Sequence, residues 1–285
     1  MSSTFWTNTI WYILLGITTI IEIIIMFYKA ENRKSMFALY CTVSGMTFAF
    51  EIIIFTLLKS YNYYPMIIPE SQYDDAFVGN LFSQFSVSAT ALLIAVLDLK
   101  FYWFFIFAGA YGIIEELFLY LGIYKHYWYQ TWMTIVGLVL LFWIAKRMYK
   151  SSLTYIGRIW RYVYIFFGLI TLHENTMWSF RTLLGIHTFS ENYFKDIGTS
   201  LGLLSGLYML LLSIIIMIIY FLKLKNKWKA IVILALYIAH YIASKLNLMY
   251  YKEGWFFIFT TIAIFSMYLY VYVLDKLYCQ TEKQV

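Results

Sequence analysis

The sequence predicts an all-α fold, a polytopic membrane helix bundle of about nine transmembrane helices, and three observations carry that expectation. Of 285 residues, 62% are hydrophobic and only 13% are charged, against roughly 25% charged in soluble domains. The apolar residues fall into runs of about twenty, the helix length that crosses a bilayer. The Lys and Arg residues gather almost wholly between those runs. No Ser- or Gly-rich linker divides the chain, and both prolines, Pro65 and Pro69, lie in one loop. Residues 1–285 therefore read as a single transmembrane domain with no separate soluble unit.

The expected spans are Thr9–Tyr28, Met36–Leu58, Ala76–Leu97, Phe101–Ile123 and Tyr127–Ala145, then Tyr162–Phe180, Ile197–Leu222, Ala230–Met249 and Trp255–Leu274. No Lys or Arg precedes the first span and no small-residue cleavage site follows it, so it reads as a membrane helix and not as a cleavable leader. The third and fourth are divided only by Asp98-Leu99-Lys100, a charged pair suited to an interface. The two cysteines, Cys41 and Cys279, lie far apart and suggest no disulfide framework.

Orientation follows from the basic residues. Fifteen of the 21 Lys and Arg fall in one alternate set of loops (29–34, 100, 146–161, 223–229 and 276–283). Five fall in the other set: Lys59, Lys125, Arg181, Lys195 and Lys252. That asymmetry places the N-terminus outside and the C-terminus in the cytoplasm, as expected for a multi-pass protein of a bacterial plasma membrane. The same distribution accounts for the net charge of +6 through topology and contact with anionic lipid, which argues against nucleic acid as a partner.

The polar residues inside the spans carry the functional expectation, because a centred charge costs roughly 2.5–3.5 kcal/mol on insertion scales. Spans 2, 4, 6 and 8 all run outward. They hold Glu51, then Glu115 and Glu116, then His173 and Glu174, then His240 and Lys245. At the helical rise these groups fall roughly 6–14 Å below the outer surface, in one layer. Glu22 lies at another depth, in the inner half of span 1. The spacing from Glu51 to Glu116, Glu174 and His240 approximates the length of a helical hairpin. It suggests a leading helix followed by four degenerate hairpin repeats, although any evenly looped multi-pass chain would show a similar period.

Helical phase groups Ser44, Thr47 and Glu51 on one face, Tyr237, His240, Ser244 and Asn247 on another, and Glu174 with Arg181 on a third. A structural network, a ligand, ion or proton site, and catalysis all remain open for this layer. His173, His240 and a Glu would make a three-ligand zinc site, but no HExxH-type motif supports a metal, and the sequence names no cofactor. Gly198, Gly202 and Gly206 form a small-residue ridge that suits close helix packing within one chain or a homodimer seam.

Three resemblances attach to the segment IIEELFLYLGIYKHYW at 113–128. Its acidic helix running into GIYKHYW resembles a group of uncharacterised multi-pass membrane proteins of Gram-positive bacteria, most strongly over 110–150. That likeness implies a membrane location and no established activity. Glu115, Glu116, Phe118 and Tyr120 are similar to the P-x-E-E motif of heterodimeric-type lycopene cyclases, with Ile113 at the proline position. Glu115 and Glu116 also resemble the E-E-x-x-x-R pair of intramembrane CAAX proteases. There Tyr120 replaces the arginine, Leu169 stands where the later F-x-x-x-H motif has Phe before His173, and Ser244 stands where H-x-x-x-N has Asn after His240.

The expected function is recognition or movement of a small or lipidic ligand, cations included, at an outward-facing layer of Glu51, Glu115, Glu116, His173, Glu174 and His240. An intramembrane enzyme acting on a lipid or isoprenoid chain is the alternative, and a ligand-free structural protein is the third reading. A polar pocket open to water would favour binding or transport. One open sideways to lipid would favour the enzyme.

Overall fold

In the computed structural model, which describes residues 4–222 and 224–279, nine α-helices account for most of the chain. They are α1 Ile10–Lys29, α2 Arg33–Glu51, α3 Gln72–Val96, α4 Tyr102–Tyr120, α5 Thr131–Leu153, α6 Arg158–Trp178, α7 Ile197–Phe221, α8 Asn226–Lys245 and α9 Phe256–Cys279. Among the described residues, eight helices are long and apolar enough to cross a membrane. The ninth, α6, is diluted by Arg158, Arg161, His173 and Glu174. The fold is the expected all-α bundle. Lys223 and Lys283, counted above for orientation, lie outside the described residues.

Local chemistry sets several helix starts. The Asn32 side chain accepts hydrogen bonds from the amides of Lys34 and Ser35 at 3.1 Å and caps α2. Ser71 caps α3 through the Asp74 amide, and Asp196 caps α7 through the Thr199 amide. Each satisfies an amide that has no partner within its own helix. At the end of the bundle where Asn32 lies, Asp98 pairs with Lys146 at 2.8 Å and Lys150 at 3.4 Å. The Lys146 hydrogen bond and charge hold the Asp98 carboxyl below the usual carboxylate range.

The structure adds elements that hydropathy does not report. Both α2 and α6 end in π-helical turns, Ile52–Leu57 and Ser179–Leu183. Four short strands follow the C-terminal ends of α2, α4, α6 and α8: β1 Tyr61–Tyr63, β2 Tyr124–His126, β3 His187–Phe189 and β4 Met249–Tyr251. They form two antiparallel ribbons, β1 with β2 and β3 with β4. The expected fifth span, starting at Tyr127, is therefore shifted. Residues 124–126 are strand, and the helix begins at Thr131.

This pattern reveals an internal duplication. The helix starts Arg33, Gln72, Tyr102 and Thr131 recur as Arg158, Ile197, Asn226 and Phe256, displaced by about 125 residues. The ribbon bonds recur one for one. Tyr64 N donates to Ile123 O as Ser190 N does to Leu248 O, and Tyr127 N to Ser60 O as Lys252 N does to Ile186 O. Every helix-to-strand turn passes through a left-handed residue, at Lys59, Gly122, Gly185 and Asn247 in turn. The repeating unit is thus a pair of hairpins, α2–α5 and α6–α9, with α1 added in front. Each unit has four helices, so both start on the same side of the bundle, as parallel repeats do.

The units meet most extensively along α2 and α6. The helices approach closely because Gly45 faces the Phe167 carbonyl and Gly168 faces Thr42. Thr42 Oγ1 donates to Tyr164 O at 2.8 Å, and Thr171 Oγ1 donates to Cys41 O at 2.7 Å. The glycine ridge on α7 packs inside the chain. A Cβ on Gly202 would lie 2.4 Å from Thr56 Cγ2, and one on Gly206 would lie 3.2 Å from Ile52 Cγ2, both on the π-helical end of α2.

The ribbon end should be the outer end. In a background lacking Cys41 and Cys279, single cysteines at the exposed positions Gln130, Asn192 and Glu253 are expected to react with a membrane-impermeant thiol reagent on intact cells. Cysteines at Glu31 and Asn226, also exposed, are expected to react only after lysis. The reverse pattern would invert the orientation, and labelling of both sets on intact cells would break the bundle's topology.

Candidate functional site

The polar layer divides between the two units. In the first unit, Glu51 at the end of α2 is 5% exposed. Its Oε1 accepts from the Tyr61 hydroxyl at 2.5 Å and from Gln84 Nε2 at 3.0 Å. Its Oε2 is buried with no hydrogen-bond partner among the described residues. Across from it on α4, Glu115 Oε1 lies 2.7 Å from His126 Nε2 of β2. Both acids line a cavity of about 350 Å³.

Six tyrosines share that wall: Tyr12, Tyr61, Tyr63, Tyr111, Tyr124 and Tyr129. The β1–β2 ribbon roofs the cavity and supplies three of them. Tyr12 is fixed by its hydroxyl, which donates to Ile123 O at 2.7 Å. Among the described residues, no Lys or Arg lines the space. The remaining wall is apolar and includes Phe50, Leu140, Leu141 and Ile144. Phe50 is 52% and Leu140 55% exposed on the outside of the bundle. The cavity therefore opens sideways between α2 and α5, toward lipid.

Glu116 does not belong to this site. Adjacent helical residues diverge by about 100°, and Glu116 sits on the exposed face of α4, where it accepts from Thr131 Oγ1 at 2.5 Å. The expectation that both carboxylates serve one ligand-binding site is corrected at this position, because only Glu115 lines the cavity. The adjacent-glutamate resemblances to the two enzyme families lose one member of their pair for the same reason.

In the second unit, His173 on α6 is fully buried, and neither ring nitrogen has a hydrogen-bond partner among the described residues. With half-buried Glu174 it lines a small cavity of about 30 Å³ that also meets Arg181, His187, Ser205 and Tyr208. His187, on β3, is buried with both ring nitrogens likewise unpartnered. His240 stands apart from this space. Its Nδ1 lies 2.7 Å from Leu236 O and its Nε2 3.1 Å from the Tyr208 hydroxyl. With both nitrogens engaged, it does not join His173 and a Glu as a zinc triad, and no three-ligand cluster occurs among the described residues.

The duplication explains why one cavity is large and the other small. Thr47 and His173 occupy equivalent positions, as do Glu115 and His240, and Tyr61 and His187. Where the first unit has Glu51, Ser83 and Gln84 on its wall, the second has the bulkier Met177, Tyr208 and Met209. These fill the space. A third cavity of about 20 Å³ lies between the units and is lined by Glu51, Asn80, Glu174 and Ser205.

Outside the cavities, Asp74 at the start of α3 binds the end of α6. Its Oδ1 accepts from Arg181 Nη2 at 2.5 Å, Thr182 Oγ1 at 2.7 Å and Trp178 Nε1 at 3.2 Å. Glu22 lies elsewhere, accepting from Thr90 Oγ1 at 2.7 Å. Of the residues expected in the layer, Glu51, Glu115, His173 and Glu174 line cavities, whereas His240 is held by Leu236 and Tyr208. Sequence reading missed Gln84, His126, Asp74 and His187. An amide in the apolar third span was a visible signal for Gln84, whereas His126 and His187 are brought in only by the ribbons.

Comparison with family models, with curated proteins and with solved structures finds no match to this chain.

Proposed function

We propose that the chain recognises or moves a lipid-soluble ligand carrying a positive charge, which enters the Glu51–Glu115 cavity sideways from the outer leaflet of a plasma membrane. The observation that carries this reading is a wall with two carboxyl groups, six tyrosines and, among the described residues, no Lys or Arg. Tyrosine faces attract a cation by about 0.5–2 kcal/mol each, more when water is excluded. A volume of about 350 Å³ suits a small ligand or the head of a lipid. The sideways mouth, lined by Phe50 and Leu140, would accept an apolar tail.

The same sideways mouth is the feature expected of an intramembrane enzyme, so this second reading stands beside the first. Glu51 would then act as the acid on a lipid or isoprenoid chain, and the tyrosine faces would stabilise a carbocation. Lipids retained by the purified protein distinguish the two. A bound lipid converted over time supports the enzyme, and an unchanged one supports binding or transport.

The charge preference is tested by melting the protein in lipid nanodiscs with dodecyltrimethylammonium, dodecanol or dodecyl sulfate. Binding to the folded state raises the melting temperature. Only the cationic probe is expected to do so. Glu51→Gln is expected to remove that response, whereas Glu22→Gln, at another depth, is expected to keep it. Equal responses to all three probes would exclude a cation site.

A further inference from the structure

We propose that Glu51, Glu174 and His173 form a proton path joining the lipid-facing cavity of the first unit to the buried histidines of the second. Three placements support it. Glu51 lines both the large cavity and the one of about 20 Å³. Glu174 lines that small cavity and the one of about 30 Å³. His173 and His187 line the last.

The unpartnered atoms fall along this line. Glu51 Oε2 and all four ring nitrogens of His173 and His187 are buried and without hydrogen-bond partners among the described residues. Buried polar atoms are normally satisfied by protein or by water. A polar cavity needs about 10–15 Å³ to hold one water. Spaces of about 20 and 30 Å³ each have room for one or two, and Asn80 and Ser205 supply further polar partners.

The transfer balances without any other reactant. A proton on Glu51 Oε2 passes to a water in the 20 Å³ cavity as that water gives one of its own to the Glu174 carboxylate, so the water stays neutral. A water in the second cavity then relays the Glu174 proton to a ring nitrogen of His173 or His187, forming an imidazolium. The reverse sequence reloads Glu51. The wall of the second cavity includes Arg181, on the π-helical turn that ends α6, so the route leads from an acid whose own cavity opens to lipid toward the ribbon end of the second unit.

The charged and titratable groups around the path come from every neighbouring element. Tyr61 and Tyr63 on β1, Glu115 on α4, and Tyr124 and Tyr129 share the cavity wall with Glu51. Tyr73 on α3 and Arg181, paired with Asp74, lie beside Glu174. Tyr208 on α7 lies between His173 and His240.

Infrared spectroscopy of the protein in nanodiscs tests the path without any ligand, so its outcome is separate from that of the cation reading. The carboxyl band that disappears in Glu51→Gln belongs to Glu51, and its shift on transfer to heavy water gives the exchange rate. Glu174→Gln is expected to slow that exchange roughly tenfold or more, because an amide side chain does not relay the proton. Ser205→Leu, which fills the small cavities and removes no acid, is expected to do the same. Exchange at the wild-type rate in Glu174→Gln, or in a folded Ser205→Leu, would overturn the proposal. So would a protein in which Glu51→Gln removes no carboxyl band anywhere between about pH 5 and 9, since an acid that is never protonated relays nothing.

Discussion

Gly45→Ala is expected to be among the most damaging single-methyl additions to this chain. The new Cβ would lie 1.7 Å from the Phe167 carbonyl oxygen and 3.1 Å from Thr171 Oγ1. A flexible side chain could swing away, but a backbone carbonyl inside a helix cannot, so α2 and α6 must separate along the seam between the two units. Overpacking commonly costs about 1–3 kcal/mol. Separation would also stretch the hydrogen bonds from Thr42 to Tyr164 and from Thr171 to Cys41, each contributing about 0.5–1.5 kcal/mol. Melting in nanodiscs should therefore show a large loss. Gly137→Ala is the control, since nothing lies within 4 Å of its added Cβ. Alanine is the better helix former by up to about 1 kcal/mol, so the control should melt at or above wild type. Similar behaviour of the two variants would mean that α2 and α6 do not meet at Gly45.

Asp74→Ala is the second. It leaves Arg181 without its carboxylate, both side chains being only 11% exposed. It also takes an acceptor from Trp178 and Thr182. Removing one partner of a buried ion pair typically costs about 3–5 kcal/mol. Arg181→Leu alone should be costly as well. The double variant should lose clearly less than the sum of the single losses, because neither charge is then left unpaired. Strict additivity in the double-variant cycle would show that the two side chains do not interact.

Position along each helix was legible in the sequence and direction was not. Hydropathy and helical rise set Glu51, Glu115, Glu116, His173, Glu174 and His240 at one level. They did not show that Glu116 points away from the cavity while Glu115 points into it, because which side of α4 is covered depends on α5 and β2. The aromatic stretch GIYKHYW at 122–128 stood out in the sequence. Its pairing into a ribbon did not, since strands of three residues leave no periodicity to read. The duplication was hidden for a different reason. Equivalent positions keep their backbone role and exchange their side chains, as with Thr47 and His173 or Gln84 and Met209, so the repeat survives in spacing and hydrogen bonding and is almost lost in residue identity.

The even number of helices in each unit has an evolutionary consequence. A chain half this long, made of four such helices and one ribbon, would insert in a single orientation and present the same face on every copy. Two copies could then pair across the seam now formed by α2 and α6 as an isologous dimer, with no need for a protein that inserts both ways. Fusing the copies into one chain would free each half from matching the other. One could then keep an open acidic chamber while its sister closed around histidine, methionine and tyrosine, a division of labour that a symmetric dimer of identical subunits does not permit.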